Sequence, residues 1–80
     1  MRALVYIRTQ PGKALELAGK LKKVAGVSEV YAVTGRFDLV ALVEGEDLKT
    51  IAGIVVDKIQ KAGATSTETC LLYTSDAADE

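Results

Sequence analysis

The chain has 80 residues, of which 49% are hydrophobic and 26% charged, with ten basic side chains against eleven acidic ones. That length holds one small domain with a thin core; the apolar content excludes a disordered chain, and the cancelling charges argue against a dominant nucleic-acid surface. One Cys and no His leave neither an internal disulfide nor an ordinary zinc site, and the absence of a long apolar run or a basic leader points to the cytoplasm rather than a membrane or secretion.

Arg2 to Thr9 is rich in Leu, Val, Tyr and Ile and reads as a strand, stopped by Pro11-Gly12. From Lys13 the period changes: Ala14, Leu17, Ala18, Leu21 and Val24 share one helical face, and Gly26 closes the helix as a C′ residue. Val27 to Thr34 forms a second strand, Gly35-Arg36 a two-residue II′ turn, and Phe37 to Glu44 a third strand. Gly45 is the expected N-cap of a second helix, with Glu46 and Asp47 at its positive end and Leu48, Ile51, Ala52, Val55, Ile59 and Ala62 as its apolar stripe. Gly63 ends it, and Thr65 to about Tyr73 is a fourth strand. Ala25-Gly26-Val27 after the first helix is echoed by Ala62-Gly63-Ala64 after the second. Two βαβ units joined by a hairpin predict an α+β, ferredoxin-like βαββαβ sandwich, a four-stranded antiparallel sheet with both helices on one face.

Two helices cover only one face of such a sheet, so a monomer should alternate apolar inward and polar outward. These strands do not. Ala3, Val5 and Ile7 oppose Leu4 and Tyr6; Phe37, Leu39, Ala41 and Val43 oppose Val40 and Leu42; Val27, Tyr31 and Val33 oppose Val30 and Ala32. A bare second apolar face predicts sheet-to-sheet self-association, most simply a two-fold dimer. The competing reading is that short side chains and the C-terminal tail cover it.

The inventory for catalysis is thin. The commonest general base is missing, no serine has a visible base, the carboxylates show no metal-ligand spacing, and no glycine loop suits a phosphate. Cys70 falls in an expected buried strand. The aromatic residues are too few for stacking on nucleic acid. What stands out is the hairpin Val33-Thr34-Gly35-Arg36-Phe37-Asp38. Asp38 is a charge at the start of an apolar strand and needs a partner. Two roles stay open for it: a local bond, to Arg36 or within the turn, or a carboxylate held near an interface to receive an amine.

With this hairpin, the first strand and Pro11-Gly12, the Val24-Ala25-Gly26-Val27 helix end and the closing Ala62-Gly63-Ala64-Thr65-Ser66-Thr67-Glu68-Thr69, the chain resembles the ligand-binding regulatory domain of the Lrp/AsnC, or feast/famine, family from Met1 to about Leu72. The resemblance implies the fold derived above, sheet-mediated homodimers assembled into rings, often octamers, no cofactor, and a small effector, typically an amino acid, bound between dimers. It implies a pocket from Thr34, Gly35, Arg36, Phe37 and Asp38, with Thr67, Thr69 and Cys70 from the last strand. Backbone groups at the Gly turn would meet the ligand carboxylate, Asp38 its ammonium, and hydroxyls the remaining hydrogen bonds. Full-length members carry an N-terminal helix-turn-helix. Here Met1 leads directly into the first strand, so the expectation is a stand-alone form that does not itself bind DNA and acts by co-assembly with full-length regulators. The alternative is an ACT-like or purely structural oligomerisation domain without ligand. A small ferredoxin-like enzyme is disfavoured by the missing His.

Residues Met1 to Thr69 carry ten basic and eight acidic groups; Cys70 to Glu80, reading CLLYTSDAADE, carry three acids and no base. That string resembles the translation of a transposon-end sequencing adapter, so residues 70–80 are suspected of being foreign to the gene. The expected organisation is a domain over 1–73 and a disordered tail over 74–80.

Overall fold

The computed structural model describes residues 1–72, so the expected tail over 74–80 lies outside the described residues. Its elements are β1 (Arg2–Arg8), α1 (Ala14–Leu21), β2 (Val27–Ala32), β3 (Leu39–Glu44), α2 (Leu48–Ile54) continued by a π-helical stretch (Val55–Gln60), and β4 (Ser66–Leu72). The strands form one sheet in the order β2-β3-β1-β4, with every neighbouring pair antiparallel. This is the expected βαββαβ sandwich. β1 runs centrally between β3 and β4, pairing Val5 with Ala41 on one side and with Thr69 on the other.

The core lies between the sheet and the helices. Ala3, Val5 and Ile7 of β1 and Leu39, Ala41 and Val43 of β3 meet Leu17 and Leu21 of α1 and Ile51, Val55 and Ile59 of the second helix, all buried. No polar side chain is buried among them. The stripe Ile51, Val55, Ile59 repeats every four residues, which would drift around an α-helix of about 3.6 residues per turn. The wider i→i+5 turn of the π stretch reduces that drift and keeps Ile59 on the core. Leu48, from the same expected stripe, is half exposed and Ala52 exposed.

Several boundaries differ from the sequence reading, each for a local reason. α2 is capped by Asp47, whose side chain accepts a 2.8 Å hydrogen bond from the Thr50 amide, instead of by Gly45. A carboxylate satisfies an orphan N–H that glycine cannot. That bond holds the exposed Asp47 carboxyl below its ordinary value of 3.8. α1 ends at Leu21, five residues before Gly26, so Gly26 starts β2 more than it caps the helix. Its φ is +96°, and a Cβ there would stand 2.5 Å from Ile54 Cδ1 and 3.3 Å from the Glu44 carbonyl oxygen. Both conformation and packing therefore require glycine.

In β2 the register shifts between Val27 and Glu29. This bulge puts Val27 on the helix side with Val30 and Ala32, leaving Tyr31 opposite Val40 on the other face, so the expected grouping of Val27 with Tyr31 fails. Phe37 likewise parts from Leu39, Ala41 and Val43, the residues with which alternation groups it. β3 begins only at Leu39, and the Phe37 ring lies 5.2 Å from that of Tyr6, a residue of the uncovered face. That face carries Leu4, Tyr6, Val40 and Leu42, with Tyr31 53% and Val33 37% exposed, and no described segment of this chain covers it.

Candidate functional site

Antiparallel topology brings the C-terminal end of β1, the β2–β3 connection and the start of β4 to one end of the sheet. The pairing Ala32↔Leu39 continues one step, as the Val33 amide donates to the Asp38 carbonyl oxygen at 3.0 Å. This register is centred on Gly35-Arg36, as the expected two-residue turn requires. Regular strand nevertheless stops at Ala32 and resumes at Leu39, so the tip is a wider connection. Gly35 sits there at φ +109°, a conformation that a side chain would strain.

Asp38 ties this connection to β1. Its amide donates to the Ile7 carbonyl oxygen at 2.9 Å, and its carboxylate Oδ2 accepts from the Thr9 amide at 2.8 Å in a part-buried contact. The local role left open by the sequence, a bond to Arg36 or within the turn, is not the one observed: the donor is the Thr9 amide, distant in sequence at the end of β1, and among the described residues no ion pair involves the Asp38 or Arg36 side chain. The carboxylate keeps further acceptor capacity beyond that single bond.

A cleft of 580 Å³ opens beside it, lined by Arg8, Thr9, Gln10, Pro11, Gly35, Arg36, Asp38, Thr65 and Ser66. The structure thus gathers three of the eight residues expected at a site, Gly35, Arg36 and Asp38, around one concavity. Thr34 is exposed beside it, and Phe37 packs on Tyr6. The other three lie along β4. Thr67 is half-buried opposite Ile7 and its Oγ1 accepts from Gln60 Nε2 at 3.2 Å; Thr69 is exposed opposite Val5. Cys70 stands opposite Leu4 on the uncovered face and is exposed, not buried as its strand position suggested.

Sequence reasoning missed Arg8, Thr9, Gln10, Pro11, Thr65 and Ser66 as lining residues. The signal was present in the topology: Pro11-Gly12 ends β1 where the hairpin turns, and β4 starts beside it, the Thr65 amide donating to the Arg8 carbonyl oxygen at 2.8 Å. A smaller cleft of 230 Å³ adjoins at Thr9 and Gln10, between α1 and Gly63. Among the described residues no group of three or more Cys, Asp or Glu side chains could hold a metal, and no helix is long and apolar enough to cross a membrane.

Comparison with known proteins gives this geometry a context. A family model described as the Lrp/AsnC ligand binding domain matches residues 2–75. The HTH-type transcriptional regulator LysM of Sulfurisphaera tokodaii is 30% identical over 73 residues, covering 90% of this chain and 52% of the regulator. The chain therefore spans about half the length of the curated relatives it matches. Among solved structures, TTHA0845 from Thermus thermophilus superposes with a TM-score of 0.85 at 35% identity, covering 92% of this chain and 94% of that one. The Neisseria meningitidis transcriptional regulator NMB0573, in complex with L-Met, superposes with a TM-score of 0.81 over 94% of this chain and 51% of that one; at 18% identity the likeness is one of fold.

Proposed function

Because the chain belongs to the Lrp/AsnC ligand-binding domain family, we propose that it is a non-enzymatic, cytoplasmic, oligomeric module that binds a free amino acid between dimers and modulates transcription by assembling with longer regulators of the family. The observation that carries this reading is the cleft at the sheet end, lined by the half-buried Asp38, the glycine turn at Gly35 and two arginines, Arg8 and Arg36. Asp38 supplies an acceptor for an α-ammonium, while Arg8, Arg36 and the backbone at Gly35 supply donors for an α-carboxylate. The L-Met bound by a fold relative lends support to an amino acid as the ligand class.

Self-association rests on the uncovered face. Leu4, Tyr6, Val40, Leu42 and Tyr31 present apolar surface that a second sheet would bury, worth about 25 cal/mol per Å² before association costs. Thr67, Thr69 and Cys70 lie outside the cleft of a single chain. In this reading they reach the ligand only where a second copy brings its β4 to the hairpin.

The bond from the Thr9 amide to Asp38 favours a second reading, in which Asp38 is purely structural and the chain an ACT-like or ligand-free assembly domain. Native mass spectrometry with and without pooled amino acids separates the two. A bound amino acid, or a change in oligomer mass on adding the pool, supports the sensing module. Oligomers that neither bind nor respond to any amino acid support the assembly domain, and a monomer at high micromolar concentration rules out both.

A further inference from the structure

We propose that the cleft selects an acidic amino acid, one carrying a second carboxylate on its side chain; the inference rests on the amino-acid reading of the same cleft. Charge matching favours such a ligand. The lining residues include two arginines, Arg8 and Arg36, and one acid, Asp38, a formal excess of one positive charge. Both arginines are exposed, and among the described residues neither has an ion-pair partner. The adjoining smaller cleft adds Lys13 and Lys20, which share the single acid Glu16 at 3.9 and 3.8 Å, so this end of the molecule carries a positive field.

A zwitterion with a neutral side chain uses Asp38 for its ammonium and one guanidinium for its carboxylate, and leaves the second arginine idle. A basic side chain brings a further cation toward two arginines that have no ion-pair partner among the described residues. An acidic side chain fills the second arginine with the bidentate geometry that guanidinium offers carboxylates, and its net charge of −1 cancels the cleft's excess. The hydroxyls of Thr65 and Ser66 and the amide of Gln10 line the same space and can complete the carboxylate hydrogen bonds. Because the arginines are solvated in the free protein, a neutral ligand leaves no buried charge bare; the selectivity comes from the additional ion pair that an acidic ligand forms. It is therefore moderate and weakened by salt.

The test is calorimetric titration and thermal melting of the intact protein with L-glutamate, L-aspartate, L-glutamine, L-leucine, L-lysine and glutarate, at low and at physiological salt, repeated with Arg8→Gln and Arg36→Gln. The expected result is tightest binding of L-glutamate or L-aspartate. Each substitution should weaken the acidic ligand by roughly two- to fivefold more than it weakens L-glutamine. Tighter binding of a neutral or basic amino acid than of either acidic one overturns the inference and leaves the amino-acid reading standing. Glutarate binding as tightly as L-glutamate also overturns it, because Asp38 then contributes no ammonium recognition. Binding of no amino acid at all overturns the underlying reading and the inference with it.

Discussion

Replacing Asp38 in two ways separates its structural work from its charge. The side chain accepts from the Thr9 amide at 2.8 Å in a part-buried contact, joining the hairpin to the end of β1. Alanine removes the acceptor and strands that N–H, and because the contact is only part-buried the cost should fall at about 1–2 kcal/mol, the lower part of the range for losing a charged partner. For a domain of this size that corresponds to a melting temperature lower by roughly 5–15 °C. Asparagine keeps a carbonyl oxygen where the carboxylate oxygen stood. It should cost under about 1 kcal/mol, the difference between a charged and a neutral acceptor. The assay is thermal and urea denaturation followed by circular dichroism, at one fixed protein concentration because self-association makes the transition concentration-dependent. The same two variants, titrated with the amino acid that binds best, should both lose affinity. An Ala variant that melts within about 2 °C of the parent would show that the Thr9 bond contributes nothing. An Asn variant as unstable as the Ala variant would show that charge, not the hydrogen bond, holds the hairpin.

Further outcomes follow from the packing. Ile59→Ala opens a cavity at a fully buried position under the π stretch and should cost about 2–5 kcal/mol, read as a lower urea midpoint with little change in slope. Gly26→Ala combines a φ of +96° with a Cβ driven against Ile54 and the Glu44 carbonyl, and should destabilise by more than the ~1 kcal/mol that unfavourable backbone conformation alone costs; a neutral result would mean that Ile54 moves aside freely. Leu42→Glu places a charge on the uncovered face, opposite Leu4 and next to Glu29, and should lower the oligomer mass at a given concentration while the far-ultraviolet spectrum is kept. Asp47 has a folded-state pKa below its unfolded value, so its stabilisation is present above the unfolded value and fades as pH falls through the folded one. Asp47→Ala should therefore lower the melting temperature at neutral pH and remove part of the stability lost on acidification below about pH 4; equal acid sensitivity in both proteins would deny the cap its role.

Periodicity alone determined the element order, the two opposing sets of residues in β1 and, Phe37 apart, in β3, and the existence of a second apolar face. Each follows from which residues alternate or repeat, and alternation survives any detail of packing. The hairpin register was legible for the same reason, since Gly35 marks where the chain reverses. Tertiary structure decided what local pattern cannot encode. A bulge between Val27 and Glu29 moved Val27 to the face of Val30 and Ala32, as a slip of one residue does where side chains alternate. Phe37 followed its stacking on Tyr6 instead of strand alternation, because β3 had not yet begun. Ile59 is on the core as the stripe predicts, but the π turn that keeps it there is a departure that a 3.6-residue period does not anticipate. The candidate site divided in the same way. Gly35, Arg36 and Asp38 were visible as a contiguous motif, whereas Arg8, Thr65 and Ser66 joined them only because antiparallel pairing stacks the end of one strand beside the start of another. A cleft assembled from three separated segments has no signature in any one of them; it exists only once the sheet has closed the distance.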